Sequence, residues 1–155
     1  MKRFIIIGTI LAFCSSFMIK AKYSSPLKVN ISIQSRENIK LAIKITLTNT
    51  TSDTVIYQSM SCSWWSYFTT NSDDIRLGPR WCDKNVPIKV SIPPYSKEEK
   101  LLECVLTTKM PVSKTISFKV GFNFTPAEKT EAILFSEWSA PEKINYIWSN
   151  SLKIN

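Results

Sequence analysis

Two neighbouring stretches alternate apolar and polar residues with a period of two. In Leu27–Gln34, Leu27, Val29, Ile31 and Ile33 fall on one side, and Lys28, Asn30, Ser32 and Gln34 on the other. In Ile39–Asn49, Ile39, Leu41, Ile43, Ile45 and Leu47 share a side. A strand turns successive side chains to opposite faces, so each stretch reads as a half-buried strand. The polar run Ser35-Arg36-Glu37-Asn38 between them is a tight connection, which makes the pair an antiparallel hairpin.

The same pattern recurs along the chain. Strands are predicted at Thr54–Tyr57, Tyr67–Thr70, Ile75–Leu77, Ile88–Ile92 (stopped by Pro93-Pro94) and Glu98–Leu106. On the last of these, Leu102, Cys104 and Leu106 share the core face. Ile116–Phe124 aligns Ile116, Phe118, Val120, Phe122 and Phe124, and Gly121 on its outer face marks a bulge or a close backbone approach. Ala132–Trp138 and Tyr146–Ile154 complete the set. Nothing from Lys22 onward sustains a helical period. Short strands with turn signals between them predict an all-β antiparallel sandwich, with an irregular barrel as the alternative. A length of 155 residues suits one core and not two.

The N-terminus sets the compartment. Lys2 and Arg3 precede the apolar run Phe4–Phe13, and small residues follow at Cys14, Ser15 and Ser16. This layout is that of a secretory signal peptide, and its apolar part is shorter than the ~20 residues a spanning helix needs. Cleavage after Ser16 or after Ala21 is compatible with the pattern. With the second, residues 1–21 are the leader and 22–155 one sandwich domain. Leu11-Ala12-Phe13-Cys14 is also similar to a degenerate bacterial lipoprotein signal, which would make Cys14 a lipidation site. Phe13 departs from that motif, which wants a small residue there. The net charge is +8, and losing Lys2, Arg3 and Lys20 would leave a mildly basic domain. Its basic residues are scattered and form no nucleic-acid patch.

Export leaves three cysteines, Cys62, Cys82 and Cys104, in an oxidising compartment, where a disulfide is the default. Cys62 and Cys82 lie within the most unusual segment, Met60–Val86, flank the predicted meander between them, and are expected to be bonded. Cys104 lies on a core-facing strand position and reads as a small buried hydrophobe. From sequence, a bridge from Cys104 to either remains the alternative. The segment also holds Trp64, Trp65, Tyr67, Phe68 and Trp81. In a regular strand Trp64 and Trp65 point to opposite faces, so one indole is expected outside the core, with Trp64 the buried one. Two readings follow. The aromatics Trp64, Trp65, Tyr67 and Trp81 form a binding surface for a glycan or protein, or they pack against the disulfide as structure.

Two stretches resemble known groups. The hairpin pattern around Leu47–Val55 is similar to one near the start of bacterial immunoglobulin-like sandwiches and of the intracellular proteinase inhibitor family. The pattern S-C-S-W…W-C-D-K-N followed by V-x-I-P-P resembles a group of small exported bacterial proteins of unknown function. In these, an immunoglobulin-like domain carries two cysteines beside tryptophans. The resemblance spans about Leu47–Leu106. It implies an immunoglobulin-like β-sandwich and the crosslink, and no activity.

The chain has no His, so Ser-His and Cys-His nucleophile pairs are excluded. With 3 Gly there is no phosphate-cradling loop. No metal or cofactor motif is present. The expectation is therefore a non-catalytic exported domain that is structural or binds a protein or glycan. An inhibitor of exported proteases and a surface-anchored lipoprotein module are the alternatives. An exposed rigid loop at Pro93-Pro94-Tyr95 would favour the inhibitor. An exposed face at Trp64 or Trp65 would favour ligand binding.

Overall fold

A computed structural model describes residues 25–78, 82, 84–107, 115–127 and 146–154. The predicted Ala132–Trp138 strand, the leader with Cys14, and Trp81 lie outside these residues. The described part is all-β. Its strands are β1 (Leu27–Glu37), β2 (Lys40–Asn49), β3 (Val55–Met60), β4 (Phe68–Thr70), β5 (Ile75–Leu77), β6 (Pro87–Ile92), β7 (Lys97–Leu106), β8 (Ile116–Phe118), β9 (Val120–Asn123), β10 (Tyr146–Trp148) and β11 (Leu152–Ile154).

One layer is a four-stranded sheet in the order β1-β2-β7-β5, antiparallel throughout. The second layer is assembled from three smaller pieces: β10-β9-β4, β11-β8 and β3-β6. Backbone bonds join them. Gln58 N–H donates to the Thr125 carbonyl at 2.9 Å and Ala127 N–H to the Ile56 carbonyl at 3.0 Å, which lays β3 against the chain leaving β9. Ser149 N–H donates to the Val120 carbonyl at 2.9 Å, linking the β10–β11 corner to the break between β8 and β9.

The core lies between the layers. Leu41, Ile43, Ile45 and Leu47 of β2, with Leu102, Cys104 and Leu106 of β7, are buried together with Tyr57, Phe118, Val120 and Phe122. These are the apolar positions that alternation places on one face. The aromatic centre of the core is ordered: Phe122 stacks on Phe68 at 5.0 Å and meets Tyr57 edge-on at 5.3 Å.

The structure departs from expectation at element ends. Ile33 and Ile39 are exposed, because residues 33–40 of the hairpin project beyond the core and Ile39 sits in the two-residue turn. Asn38 takes the left-handed conformation there, with φ 52°, which asparagine tolerates well. Ile88 is exposed and Val90 half-buried, so only Ile92 of that face is core. The Ile116–Phe124 stretch is broken at Lys119 into two strands that pair with different partners. Gly121 marks neither a bulge nor a close backbone approach: its pairing is regular and the atoms that crowd it are side chains. A Cβ there would come within 3.1 Å of the Trp148 indole and of Tyr146 Cβ.

Candidate functional site

In the described part of the Met60–Val86 segment the Cys62–Cys82 disulfide is formed, with Cα atoms 5.7 Å apart. Asn85 fastens the same loop from the other side. Its Oδ1 accepts the backbone N–H groups of Cys62 at 3.3 Å and Ser63 at 3.1 Å, and its Nδ2 donates to Ser63 Oγ at 2.6 Å. The chain then enters a short 3-10 helix, Trp64–Tyr67, so that the strand predicted at Tyr67–Thr70 begins one residue later, at Phe68. Ser66 closes it by donating its N–H at 2.9 Å and its hydroxyl at 2.8 Å to the Ser63 carbonyl.

This local geometry corrects the expected split of the indoles. In a 3-10 helix neighbours are about 120° apart rather than on opposite faces. Trp64 and Trp65 are both half-buried and both pack against the core. Tyr67 is buried, and burial pushes its phenol pKa up. Among the described residues, the Trp65 indole Nε1 is buried without a hydrogen-bond partner.

Trp64 leads to a polar group on β7. Lys100 Nζ sits 5.1 Å from the centre of the Trp64 ring and 2.8 Å from Glu98 Oε1. Glu98 Oε2 accepts the Tyr57 hydroxyl at 2.6 Å. Glu98 and Lys100 stand opposite Leu47 and Ile45 in the register, so they occupy the inner face of β7 towards its start. Burial first, then the hydrogen bond to Glu98 and its negative charge, raise the Tyr57 pKa well above the ordinary tyrosine value. The network joins the disulfide loop to the opposite layer. The signal for it was parity, since Glu98 and Lys100 are in phase with Leu102, Cys104 and Leu106.

Cys104 is free and buried, as its face assignment predicts. Burial pushes its thiol up to about 12, which removes it as a nucleophile at neutral pH. It borders a shallow hollow of about 400 Å³ on the four-stranded sheet, above the small residues Ser35, Ala42 and Gly78. Among the described residues, no group of three or more metal-ligating side chains is brought together.

The turn after β6 stands apart from these half-buried elements. Ser96 N–H donates to the Pro93 carbonyl at 3.2 Å, closing a four-residue turn. Tyr95 in it adopts φ 55° and is 71% exposed. The base of the turn is held by Asn49, whose Nδ2 donates to the carbonyls of Ile92 and Pro93, both at 3.0 Å. Asn49 N–H also donates to the Ser96 carbonyl at 3.0 Å.

No protein-family model matches this chain, and no curated protein sequence matches it either.

Proposed function

We propose that this chain is a non-catalytic, exported, immunoglobulin-like domain that binds a protein partner through the Pro93–Ser96 turn. The observation that carries the reading is Tyr95, a large aromatic side chain 71% exposed on a turn whose backbone is fixed from both sides. A left-handed conformation costs a residue with a Cβ roughly 1–2 kcal/mol, and glycine would avoid that cost. Aromatic residues on pre-organised loops lose little entropy on docking and are common anchors of interfaces. The aromatic segment at Trp64 and Trp65 is a weaker candidate contact, because both indoles pack against the core. The disulfide supports an oxidising, extracytoplasmic setting. Anchoring at the surface would depend on Cys14.

The second reading is an inhibitor of exported proteases that inserts the same turn into a target's cleft. The rigidity of the turn favours it, since a held loop resists the conformational change that cleavage requires. The inhibitor reading is tested with Tyr95→Gly and Tyr95→Ala against a panel of exported serine, cysteine and metalloproteases, and the stability of the same variants tests what both readings require, that the Tyr95 ring is not needed by the fold. The inhibitor reading expects the wild type to suppress one class and both variants to lose that suppression while staying folded. Tyr95→Gly should be neutral or slightly stabilising, within about 1 kcal/mol. A marked loss of stability in Tyr95→Gly would mean that the ring serves the fold, and the contact role of this turn would be discarded.

A further inference from the structure

The chain holds three Asn-x-Ser/Thr triplets: Asn30-Ile31-Ser32, Asn49-Thr50-Thr51 and Asn123-Phe124-Thr125. Such a triplet is the acceptor for N-linked glycosylation, and in a glycoprotein it belongs on the surface. Asn30 and Asn123 meet that requirement. Each is half-buried and adjoins core residues, Val29 and Ile31 or Phe122, so its side chain takes the outer face of its strand. Asn49 does not meet it. It is buried at the end of β2, and its Nδ2, the atom a sugar would be joined to, donates to the Asp53 carbonyl at 2.7 Å and to the Ile92 and Pro93 carbonyls at 3.0 Å each.

N-glycosylation bonds the amide Nδ2 to C1 of a sugar. One N–H proton is lost, and the C1–O bond of the donor, a lipid-diphosphate or nucleoside-diphosphate sugar, breaks to release the diphosphate. The linked nitrogen keeps one hydrogen for three carbonyls, and the sugar needs the space those carbonyls fill. Its hydroxyls would be buried there away from water. We propose that folding and N-glycosylation of this chain exclude one another at Asn49: the triplet is an acceptor in the unfolded chain, closure of the fold withdraws it, and modification beforehand prevents closure. Synthesis from the N-terminus exposes Asn49 first. Its partners Ile92 and Pro93 follow 43 and 44 residues later, which at ~5–20 residues per second leaves the amide open for about 2–9 s. An exported chain of this sequence therefore matures in a space without an N-glycosyltransferase; that corollary rests on the export reading, and the exclusion itself does not.

The test applies a soluble N-glucosyltransferase with UDP-glucose to the full exported chain, once native and once reduced and unfolded. Peptide mass spectrometry reads occupancy at each triplet. The wild type is run beside Asn30→Gln/Asn123→Gln, in which Asn49 is the one acceptor triplet left. Modification at Asn49 is expected to be roughly tenfold slower or more in the native protein, because access requires the β2 end to open. On return to oxidising buffer without denaturant, chains glucosylated at Asn49 should fail to recover the native melting transition. Wild-type chains modified only at Asn30 or Asn123 should recover it. The proposal is overturned if native and unfolded chains are modified at Asn49 at equal rates, or if the unfolded chain is not modified there. It is also overturned if the Asn49-glucosylated chain regains the melting temperature of the unmodified protein.

Discussion

Asn49 is the residue whose loss should reveal most about how this sandwich is closed. Its side chain is 1% exposed. Nδ2 donates to the Asp53 carbonyl at 2.7 Å and to the Ile92 and Pro93 carbonyls at 3.0 Å each. Oδ1 accepts the Thr51 N–H at 2.9 Å and its hydroxyl at 2.8 Å. The orientation of the amide follows from its partners, since carbonyls only accept and the Thr51 N–H only donates. In Asn49→Ala the Thr51 hydroxyl keeps its bond to the Asp53 carbonyl. The Ile92 and Pro93 carbonyls and the Thr51 N–H lose their side-chain partner. At about 1 kcal/mol per bond, with more where a group stays buried, the loss is on the order of 3–4 kcal/mol. That corresponds to roughly 10 °C in melting temperature for a domain of this size.

Asn49→Asp is the sharper variant. It is nearly isosteric, yet at neutral pH it aims a carboxylate at three carbonyl oxygens, so it should be at least as damaging as alanine. Its folded-state pKa should be raised, because only the protonated form can donate. The stability held by that form is present below the ordinary aspartate pKa and lost as pH rises through the raised value. Asn49→Asp should therefore regain stability relative to Asn49→Ala on acidification. Thermal melts followed by circular dichroism from pH 3 to 7 decide it. A loss under about 3 °C for alanine, or an aspartate variant as stable as wild type at neutral pH, would refute the reasoning.

Three other outcomes are expected. Removing the disulfide with Cys62→Ser and Cys82→Ser, 20 residues apart, should cost about 3 kcal/mol, read from urea melts of oxidised protein against the double variant. Trp64→Ala and Trp65→Ala should cost similar amounts, roughly 2–3 kcal/mol each and below the value for a fully buried indole, because both are half-buried; a tenfold difference in their unfolding constants would restore the strand-like split. Cys104 should resist thiol reagents until the protein unfolds. Its thiol is pushed up to about 12, so the stability held by the neutral form is complete below the unfolded value of about 8.5 and declines as pH rises from there towards 12; Cys104→Ala should flatten that alkaline decline.

The alternation in β2 and in the second half of β7 was legible because the inner face of each is apolar without interruption. Leu41 to Leu47 and Leu102 to Leu106 needed only parity to be placed. Parity also reaches Glu98 and Lys100, although their charge alone would argue for an outward position. Their side chains stay inside because each has a partner there: Tyr57 and Lys100 for Glu98, Trp64 and Glu98 for Lys100. The 3-10 helix at Trp64–Tyr67 was not legible, since a single tight turn has no period to read. It depends on the disulfide and on Asn85, 22 residues from Ser63. The turn signal at Asn49 was clear, while its hold on Ile92 and Pro93 was hidden by a separation of more than 40 residues.

Asn49 and Asn85 belong to a wider pattern. Asn150 donates to the Ile31 carbonyl at 3.1 Å and accepts its N–H at 2.8 Å, capping the outer edge of β1 as a neighbouring strand would. Asn71 Oδ1 accepts the Lys119 N–H at 2.6 Å where β8 breaks from β9. Each of these side chains meets a backbone group where strand pairing stops. An amide suits the task because it offers a carbonyl and an N–H of the same kind as the peptide's own. The chain has only 3 Gly, so few of its turns can rely on glycine's conformational freedom. Closing strand ends with side-chain amides instead fixes the loops to distant parts of the fold. The Pro93–Ser96 turn inherits that fixation through Asn49, and a turn held in this way can keep Tyr95 in a strained, exposed position.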